Sequence, residues 1–151
     1  MKELNQKLLT SIYQNTQTAL QSLDNILPSV KSVSLVNEIA NQQNEYNIIS
    51  EECEMIAKSE KINLKDNNIF EKMRLWSAIK MSTLTDKSTS HIAEMILIGT
   101  FMGVITCIRD EAEYLNADKE IIDLLKKLRN LEERNIERLK FFLWTILFDY
   151  K

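Results

Sequence analysis

Proline occurs once, glycine twice, cysteine twice and histidine once in these 151 residues. Hairpins and sandwiches need turn residues at regular intervals, and a chain this poor in Gly and Pro leaves almost no punctuation for them. Cys53 and Cys107 stand far apart, in no C-x-x-C pattern and amid apolar helical residues, so they read as reduced core thiols of a cytosolic protein. A single histidine, His91, has no Ser or Cys partner that the sequence supplies, which leaves a catalytic triad without its base. Gly99 and Gly103 both lie inside an apolar run, so no phosphate-binding loop is present. Basic charge is also short: the formal net charge is -3 and the pI about 5.3. No basic face collects phosphates, and a nucleic-acid partner is excluded.

Leu, Ile, Glu, Lys, Asn and Gln dominate what remains, and they favour helices. The length fits a single all-α domain spanning residues 1–151. Leu4, Leu8, Ile12, Thr16, Ala19, Leu23 and Ile26 recur at three- and four-residue steps and predict a first helix that Pro28 stops. A second helix starts near Ser32 or Ser34 and carries the seam Leu35, Ile39, Gln42, Tyr46, Ile49, Cys53 and Ile56. After a polar connection, Ile69, Met73, Trp76 and Ile79 mark a short crossover helix at about 67–84. Asp86, Ser88 or Ser90 then caps the next helix, which runs to about Leu115. Asn116-Ala117-Asp118 turns the chain into a last helix from Lys119 past Phe142.

The helix after His91 is the most apolar part of the chain. Gly99 and Gly103 are one turn apart, a spacing that lets another backbone approach. Apolar residues on nearly every side predict a central helix buried all round. Its uncharged core, Met95 to Ile108, is bounded by Glu94 and Arg109 and falls short of the roughly 20 residues of a membrane span. The N-terminus opens an amphipathic helix and lacks the apolar core of a signal peptide. These features predict a soluble, cytoplasmic protein with no transmembrane segment.

Two helices look like copies of the other two. A shift of 88 residues, the distance from Glu45 to Glu133, brings Leu4 onto Ile92, Leu8 onto Ile96, Ala19 onto Cys107 and Asn47 onto Asn135 without a gap. Hairpin 1 (about 3–60) and hairpin 2 (about 88–148) thus flank the crossover. A helical hairpin, a long crossover and an equivalent hairpin resemble the ferritin-like superfamily over nearly the full chain. The segment from Trp76-Ser77-Ala78-Ile79-Lys80-Met81 through His91-Ile92-Ala93-Glu94-Met95 is also similar to that of a group of bacterial ferritin-like proteins. The resemblance implies an up-down-down-up four-helix bundle with an extra short crossover helix.

It also implies where a di-iron centre would sit: one Glu on each of two helices and a Glu-x-x-His pair on each of the others. This sequence departs from that pattern. The paired positions read Asn44 and Asn47, or Gln42 and Glu45, in the second helix, and Glu132 and Asn135 in the last. The single-Glu positions read Asn15 or Thr16 and Met102 or Gly103. Too few carboxylate or imidazole ligands remain to neutralise two irons. A reduced site for iron, manganese or zinc would draw on His91, Glu94, Glu45 and Glu133. The plainer reading of His91 and Glu94 is a first-turn pair favoured by the helix dipole.

Asn47 and Asn135 are expected as a buried polar pair, either holding register or lining the remnant of a metal site. Phe141 to Phe148 has almost no polar face. It is expected to pair two subunits as a homodimer, to fold back over the bundle end or to touch a membrane surface. The function these features imply is a non-enzymatic scaffold or small-ligand binder with a degenerate metal centre. The alternative is a metal-binding protein or oxidoreductase using the reduced site around His91.

Overall fold

A computed structural model of the protein describes residues 2–64 and 86–144. Among them are four long helices: α1 (Lys2–Ile26), α2 (Val33–Glu60), α3 (Thr89–Glu113) and α4 (Lys119–Trp144). The expected crossover helix, and the part of Phe141–Phe148 beyond Trp144, lie outside the described residues. A 3-10 turn at Leu27–Ser29 contains Pro28 and ends the first helix where the missing N–H requires it. Ser32 and Ser88 are the caps that start α2 and α3, their hydroxyls accepting from the N–H groups of Leu35 and His91, respectively.

The α2 seam read from the sequence is buried at all seven positions, from Leu35 to Ile56. Leu8, Ile12, Ile92, Ile121, Leu125 and Leu128 join it to form one continuous core. The pairing of helices follows from their cross-contacts. Gln17 meets Ser50 and Asp24 meets Gln43, so α1 and α2 are antiparallel. Glu111 meets Arg129 and Cys107 meets Glu132, so α3 and α4 are antiparallel and share the most extensive interface. Ser11 meets Asp110 and Asn15 meets Gly103, which sets α3 against α1 in the opposite direction. Glu52 pairs with Lys127 and Tyr46 with Glu132, which does the same for α2 and α4. Asn15 and Gly103 are themselves related by the 88-residue shift, so the equivalent positions of α1 and α3 touch at mid-bundle.

α3 corrects two expectations. Ile98, Phe101, Met102, Ile105 and Ile108 are all about half exposed, so this helix is not buried all round. Its neighbours α1 and α4 cover only the face carrying Ile96, Thr100, Val104 and Cys107. Periodicity cannot reveal this, because a helix apolar on every side reads the same whether two or four neighbours cover it. In addition, its 25 residues are long and apolar enough, by length and composition, to cross a membrane. The uncharged stretch Met95–Ile108 understates the helix. Of its most apolar stretch, 39% is buried inside the bundle.

A long-range bond ties the two hairpins at one end. Asn5 is buried, and its side-chain oxygen accepts from the backbone N–H of Asp118 at 2.8 Å. Asp118 is the residue whose carbonyl opens α4. Leaving that N–H without a partner costs roughly 1–3 kcal/mol. Asn5→Ala is therefore expected to lower the urea midpoint by that much free energy, while Gln6→Ala on the exposed face changes it by less than about 0.5 kcal/mol.

Candidate functional site

At mid-bundle all four helices turn polar groups inward around one carboxylate, Glu132 on α4, which is 1% exposed. The Tyr46 hydroxyl of α2 donates to its Oε2 at 3.1 Å. The Cys107 thiol of α3 lies 3.6 Å from its Oε1. The Asn15 amide of α1 also bonds to it, and donates to the Gly103 carbonyl at 3.1 Å and towards Cys107 Sγ at 3.5 Å.

The glycine spacing acts differently from the sequence expectation. The atoms nearest to where a Gly103 side chain would start belong to side chains, not to backbone. A Cβ there would collide with Oε2 of Glu132 and lie 2.9 Å from Asn15 Oδ1, so the missing side chain makes room for a carboxylate.

Burial dominates the electrostatics. Three hydrogen bonds favour the ionised carboxylate, yet desolvation outweighs them and pushes the Glu132 pKa up to about 8. The same burial, with Glu132 as neighbour, raises Tyr46 well above the ordinary tyrosine value and raises the Cys107 thiol as well. Cys53, buried elsewhere in the core, is pushed up to about 12. Both thiols are free and buried, and neither has the depressed pKa of a reactive cysteine.

Beside this cluster lies a cavity of about 140 Å³. Gly99, Gly103 and Thr106 of α3 face Thr18 and Ala19 of α1 across it, and Gln42, Tyr46 and Glu132 close its inner side. Among the described residues Glu132 is the only carboxylate in the wall, and no lysine, arginine or histidine lines it.

Of the positions read against the di-iron pattern, Asn15, Gln42, Met102, Gly103 and Glu132 line this cavity, and Asn44, Glu45 and Asn47 do not. The four metal-ligand candidates do not meet. His91 Nδ1 lies 3.7 Å from Glu94 Oε2 in the first turn of α3. Glu45 faces Arg138 at 2.8 Å and Arg134 at 3.7 Å. Glu133 pairs with Arg129 at 2.9 Å. Among the described residues no three His, Cys, Asp or Glu side chains gather as a metal site would require. Glu45 of α2 is held by arginines of α4 across the helix interface and Glu133 by Arg129 one turn away on its own helix, a use of charge that spacing alone does not separate from ligation.

The expected Asn47–Asn135 pair is also corrected. Asn135 is fully buried, and neither of its amide atoms has a hydrogen-bond partner among the described residues, although Tyr46 stands beside it. Asn47 is exposed. Tyr46 takes the inward place on α2, and Asn47, one residue and about 100° further round, is turned to the surface. Sequence reasoning missed Tyr46, Cys107 and Glu132 as one cluster. The available signal was a tyrosine and a glutamate each sitting on an apolar seam.

No family model, curated protein or solved structure matches the chain.

Proposed function

We propose that this chain is a ferritin-like bundle whose metal centre has given way to a small-molecule site, and that it acts as a cytosolic, non-enzymatic ligand binder. The observation that carries this reading is the cavity at mid-bundle, bounded by two glycines and floored by Tyr46 and Glu132. The helix directions support the ferritin-like part: α2 and α3 each oppose α1, and α4 opposes both. That is an up-down-down-up order, with a long connection between the second and third helices. The two free, buried thiols are consistent with a reducing compartment.

A cavity of about 150 Å³ elsewhere is known to hold benzene, so this one suits a molecule of comparable size. A panel of such molecules is expected to contain at least one that raises the melting temperature saturably, with about 2.7 kcal/mol of stabilisation at a hundred times its Kd. Ala19→Phe, which fills the cavity from α1, is expected to remove the effect. A panel without any stabilising member, or one whose effect survives Ala19→Phe, would defeat the proposal.

Self-association belongs to the same reading. Phe141 and Trp144, each 65% exposed at the end of α4, support a homodimer through the C-terminal segment. Sedimentation of the unaltered chain beside Phe141→Ser/Trp144→Ser tests it, and a monomeric unaltered chain would remove it.

A further inference from the structure

We infer that the cavity takes a small organic cation, a primary ammonium on an apolar body of about benzene's size, with Glu132 as its counter-ion. The inference rests on reading the cavity as a ligand site and names the chemistry of the occupant.

The first argument is an inventory of donors. Tyr46 spends its hydroxyl proton on Glu132. Asn15 commits its amide hydrogens to the Gly103 carbonyl and towards Cys107 Sγ. Gln42 turns its amide nitrogen to Glu38 at 2.9 Å, away from the cavity wall. The hydroxyls of Ser22, Thr100 and Thr106 each donate to the carbonyl four residues back on their own helix. The wall is thus left with acceptors: carboxylate, amide and hydroxyl lone pairs. Thr18 Oγ1, which lacks a partner among the described residues, can accept as well, and it also keeps a proton to give. Acceptors outnumber free donors on this wall, so a ligand that brings several N–H donors matches it better than one that brings acceptors.

The second argument is charge. Glu132 lies at the cavity with no basic side chain among the described lining residues to neutralise it. An ionised carboxylate away from water requires a partner, and here the ligand is the one that can bring it. Burial keeps the carboxyl neutral in the empty site; a cation beside it reverses that balance, and the proton leaves to solvent. The groups that face Glu132 are Asn15 from α1, Tyr46 from α2 and Cys107 from α3, all of them donors that hold the ionised form in place. The remaining lining, including Leu23, Ile96 and Met102, suits an apolar body.

The test is calorimetric titration of the full chain with three probes of equal length: pentylammonium, 1-pentanol and pentanoate. Pentylammonium is expected to bind at least ten-fold more tightly than pentanol, and pentanoate more weakly than either. Glu132→Gln is expected to erase the preference for the cation while keeping pentanol binding. Pentanol binding as tightly as pentylammonium in the unaltered chain would overturn the cation and leave the ligand cavity standing. So would a preference that survives Glu132→Gln. Failure of all three probes to bind would overturn the cavity reading itself. The comparison among probes is made on the unaltered protein, so a variant that fails to fold does not decide the matter.

Discussion

Glu132→Gln is expected to match the unaltered chain in stability near pH 5 and to exceed it near pH 8, by on the order of 3 kcal/mol. The sign follows from proton binding. Glu132 has its pKa raised from 4.5 to about 8 on folding. Between those values the folded chain holds a proton that the unfolded chain has released. Stability is therefore full below about pH 4.5, declines as pH rises through the window, and is lost above about 8, at up to roughly 1.4 kcal/mol per pH unit. Tyr46 and Cys107 do not contribute to this slope, because burial raises both and keeps them protonated throughout. Glutamine can accept from Tyr46 in the same place and carries no titrating proton. Urea unfolding of both proteins from pH 5 to 8 measures the difference. Parallel pH profiles would mean that Glu132 ionises as it does in water.

The second large effect is a reversal of sign. Gly103→Ala alone is expected to destabilise the protein by about 1–3 kcal/mol, the usual range for overpacking a filled interior. Its Cβ collides with Oε2 of Glu132, and that side chain cannot swing aside without breaking the bonds from Tyr46 and Cys107. Once Glu132→Ala has emptied the space, the same change is expected to be neutral, or stabilising by up to about 1 kcal/mol. Alanine is the better helix former, and little but the flexible end of Asn15 then stands in its way. A double-mutant cycle in urea gives the coupling. Additive effects would show that Gly103 is there for some reason other than the carboxylate.

Gly103 also shows where reading the sequence stops. Two glycines one turn apart in an apolar helix announce a close approach, and the approach exists. Which group makes it depends on α4, whose register against α3 is set by packing along their whole interface. His91 and Glu94 are neighbours because i, i+3 spacing puts them on one face, which is local geometry. Glu45 and Glu133, read with them as ligands, instead meet arginines that face them across or along the helices. A carboxylate one residue off the inward face is drawn as readily by a guanidinium as by a metal.

By itself the sequence determined what three- and four-residue periodicity determines: helices, the short stretches that hold their caps (Ser32 or Ser34, and Asp86, Ser88 or Ser90), the seam of α2, and the 88-residue repeat. Each of these is a local property or a comparison of local properties, set by side-chain spacing and by the missing N–H of Pro28. Tertiary structure decided the rest. It set which face of α3 is left uncovered, that Tyr46 and not Asn47 points inward, and that Glu132 becomes the buried charge beside a cavity. Those outcomes depend on rotation and register between helices distant in the chain. One residue is about 100° of helix, so a choice that hydrophobic pattern leaves open separates a solvent-facing amide from a buried acid.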